Sequence, residues 1–219
     1  MQQADLIALL ASYIYVTAAL LIGELLGRFV FHGSTAVTRK FVHVSVGMWI
    51  VGTALLFTNR WIAVIPPLTF ILINYVSYRM DIFKAISTKD KRNLGTVYFP
   101  ISFSLIILIF WSKLPVVVGG LMPMTWGDAL AAVIGQRWGK HRFTVLGSTK
   151  SWEGSAAMAV ASFVSVFITL AAYKVALGAA ALDALIVAAA ATVVELLTPL
   201  GLDNLTVPLL SALLLWFLL

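Results

Sequence analysis

Eight apolar stretches, most of them near the length a helix needs to cross a bilayer, set what this chain can fold into. They fall at about 6–27, 41–57, 61–78, 97–112, 115–135, 153–173, 181–197 and 204–219. About 20 mostly apolar residues cover the hydrocarbon core, and a bundle of such helices satisfies its own backbone where no water can. Hydrophobic residues make up 61% of the 219 and charged residues only 11%, against about half and a quarter in soluble domains. The expected fold is therefore all-α: a polytopic integral membrane helical bundle of about eight transmembrane helices, forming one domain over 1–219. Pro66-Pro67 interrupts the third stretch and Pro123 the fifth. The opening MQQADLIALLASYIYV has no basic leading region and no small-residue cleavage site, so it reads as a retained first span. With no cysteine there is no disulfide frame, thiol nucleophile or thiolate metal site.

The net charge of +6 would suggest nucleic acid in a soluble chain. Here its distribution gives another explanation, and no nucleic-acid partner is expected. Arg28, Arg39 and Lys40 lie between the first two spans; Arg79, Lys84, Lys89, Lys91 and Arg92 follow the third; Arg137, Lys140, Arg142 and Lys150 follow the fifth. The intervening connections hold only Arg60, Lys113 and Lys174. Lys and Arg accumulate on cytoplasmic loops, so this split puts the odd-numbered connections in the cytoplasm and both termini outside. Some of these cations would meet anionic headgroups of the surrounding lipid.

Other polar residues gather at the same side. Asp128 lies inside the fifth span, where a carboxylate costs about 2.5–3.5 kcal/mol to insert and marks a functional site unless it partners a neighbouring cation. Arg39 and His43 are four apart and share a helix face; the arginine, with Lys40, could equally anchor topology, and the histidine could bond a helix end. Glu195 ends the seventh span, with Asp203 and Asn204 just beyond, and Lys150 and Glu153 open the sixth. Glu24 and Arg28 read as a structural pair and Asn74 as interhelical glue. Gly127, Ala131, Gly135 and Gly139 recur every fourth residue, either as a stripe for close helix packing or as a backbone that lets phosphate approach. GQRWGK is not a Walker A loop, because its spacing is one short and no Ser or Thr follows Lys140. Even so, GDALAAVIGQRWGKHRF followed by STKSWEG mixes carboxylates with several cations, which suits a phosphate-rich substrate: acids to hold Mg²⁺, and Lys and Arg to neutralise phosphate oxygens.

These segments carry a resemblance. RKFVHVSVGMW from Arg39, NLGTVYFP from Asn93, WGDALAAVIGQRWGKHRF from Trp126, KSWEGSAAM from Lys150 and ELLTPLGLDNLTVPL from Glu195 resemble the CTP-dependent lipid kinases typified by dolichol kinase and phytol kinase. That family shares a superfamily with CDP-diacylglycerol synthase. The synthase carries a late H-G-G-x-x-D-R-x-D signature, whereas no histidine follows His141 here, so the kinase branch is favoured. The compact length resembles the phytol kinase-like proteins more than the much longer eukaryotic dolichol kinases.

The resemblance implies transfer of the γ-phosphoryl of CTP to a membrane-embedded isoprenoid alcohol (phytol, geranylgeraniol or a longer polyprenol), with the site on the cytoplasmic side. It implies Mg²⁺ held by Asp128, Glu153, Asp203 and Asn204, and nucleotide binding by Asn93, Gly127, Gly135, Arg137, Gly139, Lys140, Lys150 and Gly154. Catalytic roles would fall to Asp128, Glu153, Lys150, Arg39, Lys40, His43 and Glu195. The alternatives are a CDP-diacylglycerol synthase-like cytidylyltransferase and a CTP-dependent diacylglycerol kinase. A transporter is disfavoured by the one-sided polar cluster and the lack of an internal repeat. The sequence leaves oligomeric state open.

Overall fold

The computed structural model describes residues 2–30, 35–80 and 93–219. In chain order they form α1 (Gln3–Phe29), α2 (Thr35–Leu56), α3 (Arg60–Ala63), α4 (Ile65–Met80), α5 (Gly95–Phe110) and α6 (Leu114–Met122). A π-helical turn (Pro123–Asp128) leads into α7 (Ala129–Trp138) and a hairpin of β1 (Arg142–Val145) and β2 (Ser148–Ser151). Then come α8 (Trp152–Ala172), α9 (Leu177–Leu197) and α10 (Asp203–Leu218). Each of the eight expected spans is helical. Among the described residues, five rods are long and apolar enough to cross a membrane: α1, α3 with α4, α6 through α7, α8 and α9. The apolar helices α5 and α10 are shorter. This is a nearly all-α membrane bundle.

Proline placement explains the interruptions. Asn59 caps α3, its side chain accepting from Trp61 N at 2.9 Å, and the chain steps at Val64 before α4 begins. Pro66 and Pro67 then occupy the first turn of α4, where their missing N–H groups cost nothing. Pro123 cannot donate to the helical ladder, and the six residues from Pro123 to Asp128 wind as a π-turn without ending the rod. Pro100 in α5 likewise leaves the Thr96 carbonyl without its helical donor; Asn74 of α4 replaces it, Nδ2 to Thr96 O at 2.8 Å. Asn74 is thus the interhelical glue expected of it.

The rod from α6 to α7 is the most buried of the five and forms the axis of the bundle. Gly47 of α2 packs against Thr125, and Gly127 against Ser162 and Met158 of α8. Gly135 faces Ser151 and Gly154, so the four-residue glycine stripe does serve close packing of α7 on α8. Val116, Val117, Leu121, Met124, Met158, Val166, Val187 and Leu215 complete a core closed to solvent. Asp203 follows a turn in which Leu200 and Gly201 both have positive φ. Only glycine fits at Gly201, because a Cβ there would come within 2.8 Å of the Gly95 backbone. That close approach sets the start of α10 against the start of α5.

Among the described residues, the hairpin is the one departure from an all-α fold. Its two-residue turn, Leu146-Gly147, has φ of 46° and 78°, the primed geometry that matches strand twist. Register pairs Arg142 with Ser151 and Phe143 with Lys150. Arg28, Arg39, Lys40, Arg79 and the hairpin cations sit at one end of the rods. Arg60 (donating to Leu108 O at 3.2 Å) and Lys113 (4.7 Å over the Trp216 ring) sit at the other. Lys84, Lys89, Lys91 and Arg92 lie outside the described residues.

Candidate active site

At the cation-rich end, residues far apart in sequence line one cavity of about 540 Å³. Arg39, Lys40 and His43 come from the first turns of α2, Asn93 and Gly95 from the start of α5, and Asp128 and Gly135 from the π-turn and α7. Arg142 and Lys150 come from the hairpin, Gly154 from α8, Glu195 from the end of α9, and Asp203 and Asn204 from the start of α10.

Two ion pairs organise this wall. Lys40 Nζ donates to Asp128 Oδ2. Lys150 Nζ donates to Glu195 Oε1, and also to the Glu195 carbonyl at 3.3 Å. That carbonyl is one of the last four of α9, which have no partner within the helix and favour a cation. Asp128 and Glu195 are 8% and 5% exposed, so each buried charge has its cation, as burial requires. Asp203 lies within electrostatic reach of both pairs. It accepts from Asn204 N and Nδ2, both at 2.9 Å. Just before α5, Asn93 Oδ1 accepts from Gly95 N at 2.9 Å.

The π-turn positions His43. Its Nε2 lies 2.9 Å from Met124 O and 3.7 Å from Asp128 Oδ2, and its ring stacks on Phe99 at 4.2 Å. A carbonyl only accepts, so Nε2 carries the hydrogen. The π-turn thus delivers both the carboxylate and the carbonyl that orients its neighbour, a common use of such turns at functional sites.

Other expected site residues are placed elsewhere. Glu153 does not line the cavity: it accepts from His141 Nδ1 at 2.7 Å and from His141 N at 3.3 Å, and so ties the base of the hairpin. The reason is helical geometry, since Ser151 caps α8 by accepting from Gly154 N at 3.1 Å and the following Glu153 points to the outer side of that first turn. Arg137, stacked 5.2 Å over Trp138, and Lys140 are exposed and outside the lining; Gly127 is buried and Gly139 half-buried, and neither lines the cavity. The Glu24–Arg28 pair is formed at 3.1 Å on the surface. Among the described residues, no three acidic or histidine side chains converge closely enough to hold a metal by themselves.

The sequence reading misses Arg142, Gln136, Ser148 and Thr149 of the cavity wall. Hairpin alternation could have found Arg142 and Lys150, had the strands been seen. It also misses the cavity's second half. Below the charged wall the same cavity continues between α1 and α2 on one side and α4 and α5 on the other, lined by Trp49, Pro66, Phe70, Phe99, Phe103 and Ile107. One continuous cavity therefore joins a charged cluster to an apolar groove.

No family model matches the chain, and no solved structure matches it. It is 36% identical over 207 residues to the phytol kinase of Synechocystis sp., an alignment covering 92% of this chain and 87% of that protein. It is 32% identical over 194 residues to a probable chloroplastic phytol kinase of Triticum aestivum and 29% identical over 196 residues to one of Oryza sativa. These alignments cover 80% and 78% of this chain but only 64% and 61% of the plant proteins, so the chain spans less than two thirds of their length. Identity at this level across nearly the whole of the Synechocystis protein settles the family: the chain belongs to the phytol kinases.

Proposed function

We propose that this protein phosphorylates a membrane-embedded prenol, taking the γ-phosphoryl of CTP on the cytoplasmic side of the membrane, and that residues 1–219 act as one lipid-kinase domain. The observation that carries this reading is the continuity of the cavity. A prenol is a hydroxyl on an apolar chain, and its two halves match the charged wall and the groove beneath it. Kinship with phytol kinases supports the acceptor class, and the family resemblance supports CTP as donor.

Phosphoryl transfer requires positioning and charge neutralisation more than covalent chemistry. Lys40, Lys150, Arg39 and Arg142 line the wall where a triphosphate would lie. Two of these cations hold Asp128 and Glu195; phosphate oxygens would draw them toward the cavity while the carboxylates turn to a cation. Asp128 and Asp203 fit Mg²⁺, which typically takes one or two carboxylates plus substrate phosphates instead of an all-protein cage. When bound, Mg²⁺ would neutralise charge on the phosphates. His43 and the carboxylates stand where the acceptor hydroxyl meets the wall, within the region from which a base must act. Glu153 and Arg137 have no role in this arrangement beyond holding or flanking the hairpin.

The test supplies purified protein in lipid with Mg²⁺, a prenol panel, diacylglycerol, phosphatidic acid, and CTP labelled at the γ or the α phosphate. Label from γ in a prenyl phosphate is the expected result. Label from α in lipid, with pyrophosphate released, would identify a cytidylyltransferase, and γ label confined to phosphatidic acid would identify a diacylglycerol kinase.

A further inference from the structure

The apolar half of the cavity has a definite floor. Thr53 of α2, Pro66 at the start of α4 and Ile107 of α5 line its deep end, and Thr53 and Ile107 are 4% and 0% exposed. Nearby, α1 is tied to α4 by Tyr13 and Thr69, whose hydroxyls lie 2.9 Å apart, with the Tyr13 ring 6.1 Å from that of Phe70. On the other side α1 lies flush on α2, Gly23 against Val42 and Gly27 against Thr38. The groove thus has walls, a charged mouth and an end.

Its length follows from helix geometry. From His43 to Thr53 and from Thr96 to Ile107 the walls rise by about 15–17 Å at 1.5 Å per residue. With C–C bonds of about 1.5 Å, an extended isoprene unit advances roughly 5 Å. The groove therefore holds about three extended units below a hydroxyl placed at the charged wall, and a fourth where the chain bends. Aromatic rings at Trp49, Phe70, Phe99 and Phe103 line it along this length.

Building on the prenol-kinase reading, we propose that Thr53, Pro66 and Ile107 form a chain-length gauge that sets the longest isoprenoid alcohol accepted. An alcohol of farnesol to phytol length seats its tail above this floor with its hydroxyl at the wall. A dolichol-length polyprenol runs into the floor and holds its hydroxyl short of the phosphates. Specificity then arises from a steric limit far from the chemistry.

The experiment measures kcat/KM for farnesol, phytol, geranylgeraniol and a dolichol-length polyprenol in the wild-type protein and two floor variants. Thr53→Phe raises the floor and is expected to lower the phytol-to-farnesol ratio by about tenfold or more, a discrimination that apolar pockets reach on small size differences. Ile107→Ala lowers the floor by less than one isoprene unit and is expected to raise the phytol-to-farnesol ratio, opposite to Thr53→Phe, so a folding defect in one variant does not decide the matter. Equal use of all lengths by the wild type, or variants that scale every alcohol alike, would overturn the gauge and leave the kinase reading standing. A wild type that phosphorylates no prenol of any length would overturn both.

Discussion

Asp5 and Asp128 sit at opposite ends of the bundle and are equally shut off from solvent, 1% and 8% exposed, yet they do different work. Asp5 is satisfied by its surroundings: it accepts from Thr58 N at 2.8 Å and Thr58 Oγ1 at 2.9 Å, and so ties α1 to the turn after α2. It touches no cavity. Asp128 instead pairs with Lys40 and faces a cavity that the Lys150–Glu195 pair and Asp203 also line. Burial alone therefore does not mark a site. What distinguishes the two carboxylates is whether the partner is a neutral hydrogen-bond donor or a cation beside room for a ligand.

That comparison is open to attack from both sides. The largest expected effect is at Asp128. Asp128→Asn should lower prenol phosphorylation by at least about 10²–10³-fold, the scale for removing one charge-organising group, while helical content in detergent stays normal. Near-wild-type turnover would make Asp128 a structural residue like Asp5. Next, Lys40→Ala should cost about 10²-fold in kcat/KM and raise the KM for nucleotide, because it removes a cation expected to hold phosphate. The same variant leaves Asp128 buried without its cation, so its stability is measured alongside.

Asp5→Asn should do the reverse. Asn keeps one acceptor oxygen; loss of the second acceptor and of the charge should lower stability by about 1–3 kcal/mol, read as a drop in melting temperature, with turnover per folded molecule within about twofold of wild type. A large loss of activity without loss of stability would break the contrast. Glu153→Gln belongs with Asp5: it weakens an exposed pair with His141 worth at most about 1 kcal/mol, so activity should fall less than about fivefold. A collapse of activity there would restore Glu153 to the chemistry. The smallest effect is at Asn74→Ala, which strips the replacement donor from Thr96 O and should cost about 1 kcal/mol.

Much of this was legible in the residues, and the limits are physical. Hydropathy located the eight apolar helical stretches, and five of the rods they form are long and apolar enough to cross a bilayer. The loop cations located the charged end, and RKFVH, Asp128, Lys150, Glu195 and Asp203 do converge there. Glu153 was not resolvable, because Lys150 sits on a strand and Glu153 on the helix that follows; three positions of separation meant opposite sides once the hairpin formed. The hairpin itself is four residues a strand, too short to register against long apolar runs. The groove was invisible for another reason: it is made by the spacing between two helix pairs, and its aromatic residues look like any others in a membrane span. Asp5 and Asp183, the other buried carboxylates of the rods, escaped notice because they fall among apolar runs with no nearby motif.

The most direct test of the central claim, that the cation-rich cavity holds the nucleotide, uses the absence of cysteine from the chain. Thr149 is exposed and lines the cavity, and Ser112 is exposed at the opposite end. Single-cysteine variants Thr149→Cys and Ser112→Cys are labelled with a water-soluble maleimide, with and without CTP and Mg²⁺. The account predicts that nucleotide slows labelling at 149 by about tenfold at saturation and leaves 112 unchanged. Equal labelling at 149 with and without saturating CTP, in protein that is folded, would contradict it.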